Sequence, residues 1–238
     1  MSSGHLHILS TRPLGDAIIS DARSKGIVID EMEFIQTRPL NTPELEAKVQ
    51  SLVHQNIVAV FTSMNAVEAV ANMLGIQQPA WRIGCIGQTT QLLVETLLPD
   101  SVIIATGSDA TELANNLLPK IDNSDVYFFC SNIRRDELPG ILLAGGVPLQ
   151  EVVVYETMET PHVLQTAYDG VLFFSPSAVR SFFSTNRPAA NAVLFATGKT
   201  TAAAIREHCS NEVQVAEAPG KMELVKKLMS WCASKRPA

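Results

Sequence analysis

Two stretches of the chain share one chemical pattern, an apolar run ending in a glycine and a pair of threonines. They are Cys85-Ile86-Gly87-Gln88-Thr89-Thr90 and Phe195-Ala196-Thr197-Gly198-Lys199-Thr200-Thr201. The second superficially matches a nucleotide-phosphate loop, but that motif needs a glycine five residues before the Gly-Lys-Thr, and Val193 stands there. What remains is a neutral anion grip. Glycine lets the backbone come close to a ligand, threonine hydroxyls donate without adding charge, and the start of a helix offers unpaired N–H groups. Similar turns occur at Ser10 to Arg12, at Ser63, at Ser131 to Arg135 and at Ser175, each after an apolar strand and before a helical pattern. Serine and threonine in such places also serve as plain N-caps. Six such turns, at Ser10, Ser63, Gly87, Ser131, Ser175 and Gly198, favour a ligand with several anionic groups.

The elements that must position these turns alternate along the whole chain, which predicts an α/β fold. Ile57 to Phe61, Val126 to Cys130, Val171 to Phe174 and Val193 to Ala196 are continuous apolar strands of the kind buried on both faces. Thr42 followed by Pro43, Asp109 with Glu112, and Ser175 with Pro176 are helix starts. Helices are expected to open directly after Ser10 to Pro13 and from Ser131 onward. Ile27 to Ile35 and Val152 to Tyr155 read as extended chain.

The chain also repeats itself. FTSMNAVEAV at Phe61 to Val70 resembles FFSPSAVRSF at Phe173 to Phe182, and Gly87 and Gly198 follow Ser63 and Ser175 by 24 and 23 residues. Leu113 and Leu224 each lie 26 residues beyond their glycine, both preceded by a glutamate. Lys25-Gly26 and Gly145-Gly146 each precede an extended segment. Four matches in order predict two similar α/β domains, facing each other across a cleft lined by the carboxyl ends of their strands.

Composition narrows the function. The net charge of −6, with no cluster of Lys and Arg among aromatics, argues against nucleic acid. The apolar runs fall far short of the roughly 20 residues that span a membrane. No basic region followed by an apolar core opens the chain, so a soluble, cytoplasmic protein is expected. Cys85, Cys130, Cys209 and Cys232 lack paired metal spacing, the histidines are scattered, and no metal site is predicted. Nothing argues for an oligomer, and a monomer is expected.

The ordered motifs STRP (Ser10–Pro13), FTSMNAVEA (Phe61–Ala69), IGQTT (Ile86–Thr90) and SNIRRDELP (Ser131–Pro139) continue through LQEVVVYETM, FFSPSAVRSF and ATGKTTAAAI. Together they resemble the uroporphyrinogen-III synthases across roughly residues 6 to 230. A cut by pattern alone falls near residue 122; the resemblance implies a discontinuous arrangement instead. Residues 1–37 join 161–238 in the first domain, 39–158 form the second, and extended linkers lie at 34–38 and 154–160.

The resemblance implies cyclisation of hydroxymethylbilane, a linear tetrapyrrole octacarboxylate, with loss of water and inversion of ring D, and without cofactor or metal. Loss of hydroxide gives an azafulvenium cation. The substituted carbon of ring D attacks it, and the resulting spiro intermediate fragments and recloses with that ring reversed. Tyr155 matches the family tyrosine that assists hydroxide departure; a phenol is protonated at neutral pH and can donate. Thr90 and Thr201 match the turn threonines, beside Gly87, Gly198 and Thr200. Ser63, Ser175 and Ser177 are further carboxylate donors, Arg12 and Arg135 the charged partners, with Lys199 and Lys221 weaker candidates. The chain departs from the family at Gln91, where an alanine is usual, as at Ala202; the longer side chain is expected to narrow the cleft at the first turn. Upstream, hydroxymethylbilane synthase is the implied transient partner. Two other readings stay open: a non-catalytic tetrapyrrole-binding domain of the same fold, and a nucleotide-sugar protein. The latter calls for a glycine-rich loop or acidic ribose contact after the first strand, which Ser10-Thr11-Arg12-Pro13 does not supply.

Overall fold

The alternating pattern becomes strands and helices in a computed structural model, in which residues 5–218 and 220–234 are described. In chain order the first part runs β1 (Leu6–Ser10), α1 (Asp16–Ser24), β2 (Ile27–Glu31), β3 (Ile35–Pro39), α2 (Pro43–Ser51) and β4 (Ile57–Phe61). It continues with α3 (Met64–Leu74), β5 (Arg82–Ile86), α4 (Gln88–Leu97), β6 (Val102–Gly107), α5 (Ala110–Leu117), β7 (Asp125–Ser131), α6 (Glu137–Ala144) and β8 (Leu149–Glu159). The last part is β9 (Gly170–Phe173), α7 (Pro176–Thr185), β10 (Val193–Ala196), α8 (Lys199–Arg206), β11 (Val213–Val215) and α9 (Lys221–Ser234). Among the described residues no helix is long and apolar enough to cross a membrane.

The chain divides into two units, one built from the chain up to Gln36 and from Met158 onward, the other from Thr37–Thr157. The first holds a sheet in the order β11-β10-β9-β1-β2, with every neighbouring pair parallel. α1 and α9 cover one face, over Ile8, Leu172 and Phe195; α7 and α8 cover the other, over Leu9, Val171 and Leu194. The second unit holds the order β3-β8-β7-β4-β5-β6. α2, α3 and α4 pack on one face against Ala59, Phe61 and Phe129, and α5 and α6 on the other against Val58, Val60 and Phe128. Strands covered on both faces must be apolar at every position, which is why β4, with the sequence IVAVF, is buried throughout. Both segments that carry the chain from one unit to the other are strands, β3 and the end of β8, neighbours in the six-stranded sheet.

The repeat takes a permuted form. Matching Ser175 to Ser63 makes β9, β10 and β11 the counterparts of β4, β5 and β6, and the two sheet orders then pair β1 with β7 and β2 with β8. The second unit runs through its set in chain order. The first begins with the last two members, β1 and β2, and reaches the other three only after the second unit has been inserted. In each sheet the chain reverses its direction of travel at one place, between β1 and β9 in the first and between β7 and β4 in the second. Ligands of open parallel sheets bind beyond the carboxyl ends of the strands at such a switch point.

Two helix starts differ from expectation. α1 begins at Asp16, because Gly15 at φ 101° and ψ 150° is far from helical geometry and separates Leu14 from the helix. α6 begins at Glu137, since Ser131 to Arg135 is a pinned loop. Its Asn132 Oδ1 accepts from Thr157 N (2.8 Å), and Ser131 Oγ accepts from Ile133 N (3.0 Å) while donating to Ile133 O (2.8 Å). The run Ile27 to Ile35 is broken as well: β2 stops at Glu31, and Phe34 turns inward as a fully buried ring before β3 begins.

Candidate functional site

The carboxyl edge of each sheet is where the candidate residues gather, and the geometry divides them into classes. Ser63 and Ser175 are N-caps. Ser63 Oγ accepts from Asn65 N (3.2 Å) and Ser175 Oγ from Ala178 N (3.1 Å), so the plain capping role holds for both. An acceptor lone pair is spent there, and the O–H stays available as a donor. Ser177, in the first turn of α7, accepts from Arg180 Nη2 at 3.2 Å.

Gly87 and Gly198 behave differently. Each is the N-cap of its helix and carries no side chain to occupy the first-turn amides. Ordinary helix bonding starts at Gln91 N to Gly87 O (3.1 Å) and Ala202 N to Gly198 O (3.0 Å). Among the described residues, the amides of Gln88, Thr89 and Thr90, and likewise of Lys199, Thr200 and Thr201, donate to no protein acceptor. Each helix therefore begins with three open donors at its positive dipole end, an arrangement suited to a carboxylate. Thr90 and Thr201 are the third residue of their helices and only 4% and 2% exposed, and among the described residues neither hydroxyl has a protein partner. Thr200 and Lys199 are exposed. Gln91 does not lean over its turn, because Nε2 donates to Glu95 Oε1 (2.9 Å) one turn along the helix.

The two glycines are also unlike each other. Gly87 sits at φ 76° and ψ 155°, a region open to glycine alone, whereas Gly198 at φ −177° and ψ 174° is ordinary extended chain. A methyl group on Gly198 would meet no atom within 4 Å. Nothing in the protein itself calls for glycine at that position.

The charged candidates also separate. In SNIRRDELP, Arg134 is tied down, with Nε donating to Glu151 Oε2 (2.6 Å) and Nη1 to Asp136. These two carboxylates raise its pKa further. Arg135, its neighbour, is exposed and has no ion pair among the described residues. Arg12 is likewise exposed without an ion pair among those residues, and its Cζ stands 5.4 Å from the centroid of Phe174. Lys221 is engaged, its Nζ donating to Leu14 O at 2.9 Å.

Tyr155 owes its orientation to an irregularity. β7 and β8 pair regularly through Cys130 with Val153, then shift so that Ser131 faces Tyr155. Without the shift Tyr155 would share the face of Val153, under α5 and α6. With it, the ring packs among Val152, Val154 and the residues under α2, α3 and α4. That is the face from which the Ser63 and Gly87 turns launch their helices. The ring is half-buried, and among the described residues its hydroxyl has no partner.

Several supporting residues escaped sequence reasoning. Thr11 is buried and its Oγ1 donates to Leu172 O (2.8 Å), bridging β1 and β9 at the switch point. Glu31 Oε1 accepts from Leu14 N at 2.5 Å and closes the STRP loop. Asn132 does the same work for the matching loop in the second unit. An acid at a strand end or an Asn in a turn has no spacing signature that announces such a role.

Comparison with known proteins adds an independent line. The family model described as uroporphyrinogen-III synthase HemD matches residues 16–226. The fold is similar to that of a uroporphyrinogen-III synthetase from Helicobacter pylori, with TM-score 0.68 and 15% identity over 95% of this chain and 99% of that one. It is also similar to a mutant uroporphyrinogen III synthase from Thermus thermophilus, with TM-score 0.65 and 15% identity over 97% of this chain and all of the other (100%).

Proposed function

The chain belongs to the uroporphyrinogen-III synthase family of tetrapyrrole biosynthesis, and from that premise we propose that it closes hydroxymethylbilane to uroporphyrinogen III. The observation that carries the reading at the level of residues is the pair of uncapped Gly-x-Thr-Thr helix starts, one in each unit. An octacarboxylate needs many donors, and neutral N–H and O–H groups supply them without drawing the substrate's charge into strong ion pairs that would resist ring movement. Thr90, Thr200, Thr201 and the turn amides take carboxylates, Ser63, Ser175 and Ser177 contribute hydroxyl donors, and Arg12 and Arg135 supply the charged contacts.

The chemical demand is modest and geometric. Protonation of the departing hydroxyl by Tyr155 releases water and leaves an azafulvenium cation. The substituted carbon of ring D forms the new bond, the spiro intermediate breaks its other link, and the ring recloses reversed through its unsubstituted carbon, which then gives up its proton and restores the neutral pyrrole. Unguided closure gives the uninverted isomer, so the enzyme acts by holding one conformer and assisting one proton transfer. The position of Tyr155 on the α3 and α4 face, brought there by the shift at Ser131, supports its role as the acid.

The test is a coupled assay. The protein is given freshly made hydroxymethylbilane and the uroporphyrinogen isomers are resolved by chromatography. Type III isomer in excess of the spontaneous product is expected; type I alone overturns the proposal.

A further inference from the structure

We propose that Phe174 is a positioning residue that holds Arg12 with its donor edge free for a substrate carboxylate, an inference that rests on the functional reading above. Arg12 lies in the loop after β1 and Phe174 directly after β9, the two strands that flank the switch point of the first unit. The loop backbone is fixed on three sides. Ser10 Oγ donates to Arg12 O (2.6 Å), Thr11 N donates to Leu172 O (3.1 Å), and Thr11 Oγ1 donates to the same carbonyl (2.8 Å). A long side chain on a fixed backbone still needs its own support, and the ring of Phe174 provides it at 5.4 Å from Cζ.

Among the described residues no N–H of the Arg12 guanidinium has a hydrogen-bond or ion-pair partner, so the fork that reads a carboxylate with two parallel bonds stays unoccupied beside the ring. The acid that could have taken this fork is already engaged. Glu31 lies opposite Ser10 in the sheet register, yet its carboxylate accepts from Leu14 N at 2.5 Å and forms no ion pair with Arg12. Phe174 is itself anchored, half-buried against the cluster that contains Ile8, Leu14 and Leu172.

The duplicated unit gives an internal comparison. Ser10 and Ser131 occupy matching strand ends and each donates its hydroxyl to the carbonyl two residues on. By that match Ile133 holds the place of Arg12, and the Ser63 alignment puts Thr62 in the place of Phe174. Cation and ring are present together in one unit and absent together from the other, as expected of two residues that work as one device.

The test compares Phe174→Leu, which keeps bulk and removes the ring face, with Phe174→Tyr, which keeps both. A contact of this kind at an exposed site implies a rise in KM of about two- to fivefold for Phe174→Leu. Because the grip acts on the bound substrate as well as on the transition state, kcat changes little. Phe174→Tyr retains the parent KM, and Phe174→Leu adds nothing on an Arg12→Leu background. An unchanged KM in Phe174→Leu, an equal rise in Phe174→Tyr, or full additivity overturns the proposal. Phe174→Met replaces the leucine variant should that variant lose its cooperative thermal transition. If the parent protein makes no type III isomer, the functional reading fails on its own. The inference is then decided by fluorescence titration with uroporphyrin III, which the leucine variant must bind several-fold more weakly than parent and tyrosine variant alike.

Discussion

Replacing Gly198 with alanine separates a demand of the ligand from a demand of the fold. At φ −177° and ψ 174° an alanine needs no backbone adjustment, and its methyl group meets nothing within 4 Å. Removing a glycine from extended chain stabilises by about 0.4–1 kcal/mol through the unfolded state. Alanine is a poor N-cap beside glycine, which costs about as much in return. The net change in stability is therefore within about 0.5 kcal/mol of zero, a shift in Tm of about 2 °C or less for a chain of this size. Activity responds differently. On the proposed function a carboxylate held by the open amides of Lys199, Thr200 and Thr201 has to share the free space beside Gly198 with that methyl group, and losing one or two hydrogen bonds to a charged group costs about 1.5–3 kcal/mol. That corresponds to about 10- to 100-fold in kcat/KM. Gly87→Ala is the control with the opposite signature: at φ 76° and ψ 155° the backbone strain is about 1–3 kcal/mol, visible as a lower Tm. Differential scanning calorimetry and the isomer-resolved assay are run on both variants. A Gly198→Ala enzyme with full activity removes this turn from substrate binding, and one as unstable as Gly87→Ala refutes the backbone argument.

Other consequences are equally open to measurement. Tyr155→Phe keeps the packing against Val152 and Val154 and removes the proton donor, so kcat falls by about 10²-fold or more while the thermal transition stays in place; an unchanged rate removes Tyr155 from the chemistry. Ser181 is fully buried and among the described residues its Oγ has no hydrogen-bond partner, while the matching position in the second unit is the buried Ala69. Ser181→Ala is therefore expected to stabilise by about 1 kcal/mol, read as a higher Tm, and a destabilised variant contradicts the reading. Burial, and then the hydrogen bond to Asp30 (3.0 Å), push the Tyr168 phenol up to about 12. A folded value above the unfolded one of about 10 gives stability that is complete below pH about 10 and is lost as the pH rises through about 12. Tyr168→Phe removes that part of the alkaline decline, and identical slopes of Tm against pH in the two proteins exclude it.

Those features that depend on short-range pattern are legible in the sequence. The apolar runs of β4, β7, β9 and β10, the caps at Thr42, Asp109 and Ser175, and the two Gly-x-Thr-Thr turns all follow from residue type and spacing. What escapes depends on long-range geometry. Two adjacent arginines look alike until Glu151, on a different strand, is seen to engage one of them. Ser63 and Gly87 read as equivalent anion turns until the Ser63 hydroxyl is found on its own helix amide. The face on which Tyr155 lies is set by a one-residue shift between Cys130 and Ser131, and regular alternation along VVVY predicts the opposite face. The helices after the Ser10 and Ser131 turns read as starting sooner than they do, because serine and arginine suit a turn and a first helical turn alike. Gly15, at φ 101°, delays the first, and the pinning of Asn132 by β8 delays the second.

The permuted order of the two units also shapes how the chain can fold as it is made. Every strand of the second unit comes from one continuous stretch, so that unit can complete itself once its own residues have emerged. β1, synthesised first, must wait for β9: Ile8 pairs with Gly170 across an intervening span that contains the whole second unit. Pairing over such a separation is slow, and the entropy of closing the loop must be met before the contact rewards it. The inserted unit reduces that cost. Once β3 and β8 are neighbours in its sheet, the long loop is already closed close to its two ends, and only the short arms leading from β2 and toward β9 still have to meet. Folding of the inserted unit thus acts as a template for the split one, and damage to the second sheet is expected to slow formation of the first even where no side chain there has changed.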